Sequence, residues 1–417
     1  MKRHHVLYAV AIVASFLGLR AVHAQGGPQG VWDATVKVGA ADVPFRFEIA
    51  HHGDQWIGYF FEGDSRIRST TGTFNTGMLT LTYENLNTTL TASFDGSSLT
   101  GSYRSNRKNG REYPFHAVRR TDPPSGPADP SAVAGEWEMK LIGEDRSPTK
   151  DSRAVLSWNL YLRQAGGNVS GSILRVDGDT GTLTGGWRGD TLVLSHFAGE
   201  RPVLFEGRLQ PDGTLKIVLN RQNEYLAART SDAQSKGIPT PADPTQFTHV
   251  SDPSQPFHFS FPDVKGHTVS DSDARFKGQV VILAVEGSWC PNCRDEAPFL
   301  VDLYHRYHAQ GVEVVGLSFE ATGDEAEDKP RIASYIREFS VPYPVLYAGS
   351  THDVQEKLPQ LADFDSFPTT IYLDRSGRVA SIHAGFASAA TGGAHVALER
   401  EARALVEQLL TSSAAAN

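Results

Sequence analysis

The order of apolar and polar residues divides the chain into two textures. Between Gly30 and Arg229, apolar and polar residues alternate over short runs such as Thr80–Tyr83, Leu156–Leu162 and Thr191–Ser195. A period of two places every second side chain on one face of a strand. The runs are separated by turn-forming groups, Asn-Thr-Gly, Asp-Gly-Ser, Gly-Asp-Thr and Pro-Asp-Gly, and helical spacing is nearly missing. From Phe257 the pattern changes. The unbroken apolar run Val280–Val285 predicts a strand buried on both faces. A helix with Leu300, Val301, Tyr304 and Tyr307 on one face then runs to Gly311, followed by a strand over Val312–Phe319. A second helix carries Ile332, Tyr335, Ile336 and Phe339; a strand around Val345–Tyr347 and a short helix with Val354 and Leu358 come next. The strands Thr370–Leu373 and Val379–His383 pair across Asp374-Arg375-Ser376-Gly377, and a last helix contains Val396, Leu405, Val406 and Leu409. Strands alternating with helices predict an α/β layered domain.

The β-patterned part reads as one unit written twice. One copy runs from Gly30-Val31-Trp32-Asp33 to about Arg119, the other from Gly135-Glu136-Trp137-Glu138 to about Arg229. Each opens on Gly-x-Trp and an acid, and each closes after a Glu-Tyr pair, Glu112-Tyr113 and Glu224-Tyr225. Two antiparallel all-β repeat units, sandwich-like or small-barrel, are expected at 25–121 and 130–230. Proline-rich joins follow each copy, from Thr121 to Pro130 and over 231–254, and read as linkers. The α/β domain would span 255–413.

Residues 1–24 look like a leader. Met1-Lys2-Arg3 precedes an apolar run from Val6 to Leu19, then Ala21-Val22-His23-Ala24. A charged start, a short apolar core and small residues before a cut form the pattern of a secretory signal peptide. The run is short for a bilayer span, and no cysteine follows the expected cut after Ala24, which argues against a lipid anchor. A soluble exported protein, in the bacterial periplasm, is the expectation. The formal net charge is -9. Residues 1–24 hold Lys2, Arg3 and Arg20 and no acid, so the remainder carries about -12. An acidic chain without a basic surface argues against nucleic-acid binding.

Only two cysteines occur, Cys290 and Cys293, three apart in Trp289-Cys290-Pro291-Asn292-Cys293. An exported protein held by structural disulfides spreads several cysteines along its sequence. Here the two pair with each other or bind something together. The motif sits where a strand ends and a helix begins. The first thiol then faces free backbone N–H groups and the positive end of the helix dipole, which favour thiolate. The second lies one turn on and is expected to be more buried. Such a pair suits thiol–disulfide exchange, with Cys290 attacking and Cys293 resolving. A zinc or copper site needs further ligands, and neither a second C-x-x-C nor the histidines, His51-His52 included, offer the spacing.

The surrounding residues carry a resemblance. Phe259-Ser260-Phe261-Pro262-Asp263, Gly266, Val269, Val280-Val281-Ile282-Leu283, Trp289–Cys293 and Glu296-Ala297-Pro298 resemble the exported TlpA/ResA-like branch of the thioredoxin superfamily. So do Gly311–Gly316, Phe367-Pro368-Thr369-Thr370 and Asp374–Val379. It covers roughly 255–412 and says nothing about 25–250. It implies a thioredoxin fold, no cofactor and no metal. Pro368 would be a cis-proline facing the cysteines, with the backbone of Phe367 presented to substrate, and Pro298 a kink in the first helix. Glu296 would shuttle protons to Cys293; the competing reading is a solvated first-turn acid. Trp289 and Pro291 complete the motif. Glu286 departs from the family by standing where a large aromatic residue is usual. Ala284 occupies the place of the buried aspartate of thioredoxins, so Glu286 or Glu296 would stand in as the base, unless Glu286 merely faces water. Peroxiredoxins need P-x-x-x-[ST]-x-x-C, but Leu283 and Gly287 occupy those positions.

The function expected is reduction or exchange of protein disulfides in the envelope, with a membrane or envelope thiol donor restoring the reduced pair. Two alternatives stay open: a binding protein whose β repeats capture a ligand or partner, with the thioredoxin unit a redox-sensing attachment, and a thiol-based copper carrier.

Overall fold

Seven consecutive residues, Val280–Glu286, are buried and form the central strand of a five-stranded sheet. The computed structural model describes residues 27–63, 65–107, 110–120, 133–143 and 157–412; the expected leader and the first proline-rich join lie outside them. From edge to edge the sheet runs Val345–Ser350, Val312–Glu320, Val280–Glu286, Thr369–Leu373, Val379–Ala384. The first three strands are parallel; Thr369–Leu373 runs antiparallel to Val280–Glu286, and Val379–Ala384 antiparallel to Thr369–Leu373. Alternate residues of the central strand feed two cores. Val280, Ile282 and Ala284 pack beneath the helices α1 (Pro291–Tyr307), α2 (Glu325–Phe339) and α4 (Gly393–Thr411). Val281, Leu283 and Val285 pack on the other face against Phe259, Phe261 and Phe276, and with Val354 of the short α3 (Val354–Lys357). Helices on one face and a smaller layer on the other explain the unbroken apolar run.

The helix stripes differ from the sequence reading at one point. Ala402, Val406 and Leu409 of α4 face the core, but Val396 is 62% exposed. Ten residues at about 100° each turn Val396 roughly 80° from Val406, off the buried stripe.

The part before residue 231 is all-β. Strands from Gly30–Val38 to Glu112–Arg119 form a nine-stranded antiparallel meander in which the first strand pairs with the last. Alternation sends Trp32, Ala34 and Val36, then Leu79, Leu81 and Tyr83, inward. The Asn-Thr-Gly turn between Thr71–Asn75 and Met78–Tyr83 holds Thr76 and Gly77 at positive φ, 49° and 79°, as a two-residue hairpin turn with a matching twist requires. A second nine-stranded sheet runs from Gly135–Leu141 to Asn223–Arg229. It closes on itself, because Ser157–Ala165 pairs with both Gly135–Leu141 and Asn168–Arg175. The two sheets share apolar packing: Phe197, Ala198 and Leu204 of the second enter the core of the first, and the Phe197 ring lies 4.7 Å from that of Phe45.

The chain thus combines an all-β N-terminal part with a C-terminal thioredoxin-like domain. The second proline-rich stretch is not loose along its whole length. Ala233 and Ile238 are buried with Ala228 of the second sheet, while His249–Val250 pairs with Leu361–Ala362 of the α/β domain.

Candidate active site

The apolar central strand ends at Glu286, and Gly287-Ser288-Trp289 carries the chain to the start of α1, where Pro291 occupies the first helical turn. Proline fits there because that position has no intrahelical partner for an N–H. Cys290 is the N-cap, and its Sγ accepts the N–H of Cys293 at 3.3 Å. The sulfur thus occupies the place where unpaired N–H groups and the helix dipole favour negative charge. The Cα atoms of Cys290 and Cys293 are 5.3 Å apart and their sulfurs are joined. The Phe367–Pro368 peptide bond is cis, and the carbonyl oxygen of Phe367 lies 3.5 Å from the Cys290 sulfur. The motif and the Phe367-Pro368 loop, 74 residues or more apart in sequence, therefore meet at one point.

The two cysteines do not differ in exposure as expected: both are 0% exposed. Around Cys290 the β part lies over the motif: Asn292 donates to the carbonyl of Asp177 at 3.0 Å, and the guanidinium of Arg107 stacks 5.2 Å over the Trp289 ring.

Glu296 and Glu286 both depart from the solvated alternatives. Glu296 is 4% exposed and accepts a hydrogen bond from Thr370, two residues beyond Pro368. Burial pushes its carboxyl up to about 7, against the opposing effect of that bond. Glu286 is 1% exposed and accepts from the hydroxyl of Tyr335 at 2.9 Å. Burial pushes it up to about 8; the Tyr335 bond lowers it, and the charges of Glu296 and Glu320 add to the rise. Each has one oxygen, Oε1 of Glu286 and Oε2 of Glu296, without a hydrogen-bond partner among the described residues. Unpaired buried carboxyl oxygens favour the neutral acid. Two proton-holding carboxyls thus lie behind the cysteines, Glu296 one helical turn from Cys293. Pro298 lies within α1, which continues through it to Tyr307.

Several residues of this site escaped the sequence reading. Glu320, at the end of the strand Val312–Glu320, is buried and accepts the N–H of Ser288 at 2.9 Å and the hydroxyls of Ser288 and Ser318, both at 2.7 Å. It holds the loop entering the motif. The Trp289 indole N–H donates to the carbonyl of the adjacent Phe319 at 2.9 Å. Tyr335 also bonds the carbonyl of Cys293 at 3.3 Å. Arg294 is 6% exposed and forms a two-pronged pair with Glu338 of α2. The one available signal was an acid ending a largely apolar strand, at both Glu286 and Glu320, although the second strand also carries Glu313 and Ser318. Among the described residues no three His, Cys, Asp or Glu side chains are grouped to hold a metal ion, and His51 stacks on Trp56.

Comparison with known proteins agrees with this geometry. A profile of the AhpC/TSA family matches residues 253–382. The thiol-disulfide oxidoreductase ResA of Geobacillus kaustophilus is 30% identical over 141 residues, which are 34% of this chain and 74% of that protein. ResA of Bacillus subtilis is 26% identical over 136 residues, 33% of this chain and 69% of the relative. Among solved structures, a thiol:disulfide interchange protein from Chlorobium tepidum is 22% identical, covering 39% of this chain and 99% of that one with a TM-score of 0.30. With 30% identity over 74% of the length of the Geobacillus protein, and its cysteine pair at a helix N-terminus, this chain belongs through its C-terminal third to the ResA family of thiol-disulfide oxidoreductases.

Proposed function

We propose that the protein is exported through residues 1–24 and reduces or exchanges disulfides of envelope proteins through Cys290 and Cys293. The observation that carries this reading is the position of the Cys290 sulfur, at the N-cap of α1 and 3.5 Å from the Phe367 carbonyl. In the reductive direction the Cys290 thiolate attacks a substrate disulfide, forming a mixed disulfide and releasing one substrate sulfur as thiolate. Cys293 gives its proton to the Glu296 carboxylate and attacks the Cys290 sulfur. The Cys290–Cys293 bond closes, the second substrate sulfur leaves and takes up a proton, and two electrons have passed to the substrate. A membrane or envelope dithiol donor restores the reduced pair. The Phe367-Pro368 loop receives the substrate backbone, Trp289 and Pro291 shape the entrance, and Glu286 holds a second proton behind the pair.

The all-β part is proposed to be two copies of one unit, with boundaries at 25–121 and 130–230, a linker at 231–254 and the catalytic domain at 255–413. Matching details support the duplication. Trp32 and Trp137 each donate to the carbonyl four residues earlier at 2.9 Å. Each follows a glycine at φ 130°, and each lies under an arginine, Arg119 at 4.7 Å and Arg229 at 4.1 Å.

Insulin reduction by wild type and by Cys290→Ser, with dithiothreitol as donor, tests the assignment. Loss of turnover in the variant is expected; equal turnover removes Cys290 from the mechanism.

A further inference from the structure

The β part does more than sit beside the catalytic domain. The strand Asn168–Arg175 turns through Val176-Asp177 into Gly178-Asp179, and this turn is seated on the active-site face. Asp177 accepts from the Asn292 side chain at 3.0 Å. Gly178, at φ 110°, lies so close to Asn292 that a Cβ there would overlap its amide nitrogen. The Asp179 carboxylate accepts the N–H of Ser388, in the loop that follows the strand Val379–Ala384. Gly385, in the same loop, donates to the carbonyl of Pro368. One turn therefore touches the helix side of the motif and the loop hydrogen-bonded to Pro368. Arg107 covers Trp289 on the other side, Arg163 donates to the carbonyl of Ala389 at 3.1 Å, and Asn85 donates to Glu338 at 2.6 Å.

In this arrangement Cys290 is 0% exposed, although the chemistry of a thiol–disulfide exchange enzyme requires a partner sulfur to approach it in line. The two interfaces of the β part differ in kind. The sheets meet each other through aromatic packing around Phe197. The contacts with the catalytic domain named above are polar, and beside them lies a cavity of about 320 Å³ lined by Glu62, Asp179 and Asn292 together with the apolar Leu86, Phe299 and Phe339. Polar interfaces of this type separate more readily than apolar ones. The connecting chain is anchored at both ends, Ala233–Ile238 on the second sheet and His249–Val250 on the catalytic domain. Between the anchors lies Pro239-Thr240-Pro241-Ala242, without regular structure.

We propose that the 176–179 turn is an access-determining element: seated on Asn292, it shields the dithiol, and Cys290 meets a protein disulfide only after the two β sheets swing away together about residues 239–242. This rests on the assignment of Cys290 as the attacking thiol. The closed form admits small thiol reagents by brief opening and rejects bulky ones.

Alkylation of the reduced full-length protein tests this separately from turnover. Iodoacetamide and a maleimide carrying a long polyethylene glycol chain are compared at Cys290, each normalised to a free cysteine peptide. The bulky reagent is expected to lag at least about ten-fold in wild type, and Gly178→Ala, which wedges the turn off Asn292, is expected to abolish most of that lag. Should Gly178→Ala not fold, the paired change Arg107→Ala with Arg163→Ala, which removes two contacts across the interface, is expected to narrow the gap in the same direction. An equal normalised rate for both reagents in wild type overturns the proposal, and so does a lag that the folded variants leave unchanged. If Cys290→Ser loses insulin reduction while the lag stays unchanged in those variants, the shield is wrong and the enzyme assignment stands. If the variants release the lag but no form reduces insulin, the shield stands and the substrate assignment fails.

Discussion

The hydroxyl of Tyr335 reaches from α2 to Glu286 at the end of the central strand, 2.9 Å from its Oε2, and to the carbonyl of Cys293 at 3.3 Å. One phenol thus joins a buried carboxyl to the backbone of Cys293. Glu286 accepts a single hydrogen bond and its Oε1 accepts none among the described residues.

That relationship predicts a pH-dependent stability. Glu286 titrates at about 8 in the folded protein against an ordinary 4.5, with burial as the main cause. The unfolded chain releases this proton first, so the contribution is fully present below about 4.5 and is lost as pH rises towards about 8. Urea midpoints of the oxidised protein should fall across that window, and Glu286→Gln should flatten the decline. A slope unchanged by the substitution would show that another group carries it.

Glu296 predicts a kinetic effect. Its carboxyl is raised to about 7, so the proton-accepting form grows as pH passes through 7. The rate of substrate reduction should rise with pH and level off above that point. Glu296→Gln should remove the inflection and slow resolution roughly 100-fold, the lower range for a lost acid–base group. Stopped-flow decay of a mixed disulfide would measure it.

The cysteines should separate by role. Cys293→Ser should trap a covalent mixed disulfide with a substrate peptide, released by dithiothreitol and visible by mass spectrometry. Cys290→Ser should trap none. Trapping through Cys293 instead would reverse the assignment of attacking and resolving thiols.

Glu320→Ala should loosen the loop entering the motif. It leaves the N–H of Ser288 and two hydroxyls without their acceptor, a loss of about 1–3 kcal/mol for a buried donor. Thermal unfolding would read the loss.

Phe197→Ala should weaken both sheets together. The ring is 2% exposed and lies 5.4 Å from Phe60 and 5.2 Å from Tyr103, both in the other sheet. Deleting a buried aromatic ring costs about 3–5 kcal/mol. A single lowered transition for the whole β part is expected; two independent transitions would mean the sheets are not one cooperative body.

The catalytic domain was legible because its signals are local. The run Val280–Val285 read as a strand buried on both faces, and a cysteine pair at the expected strand-to-helix junction pointed to thiol chemistry through three neighbouring residues. The Gly-x-Trp openings likewise marked the starts of two β-patterned segments; that Trp32 and Trp137 are buried in their cores is a finding of the structure. What the sequence left open depends on residues far apart along the chain. Whether Glu286 and Glu296 faced water was undecided until Tyr335, 49 residues from the first, and Thr370, 74 from the second, were placed beside them. No period or spacing shows that Asp177 meets Asn292 across 115 residues. Nor does any show that Arg107 lies over the Trp289 ring. The sequence alone singled out the cysteine pair as the candidate reacting group; the packing of distant segments decided which carboxyls are buried near it and which side chains cover the motif, because burial and desolvation arise only where separate stretches of chain come together.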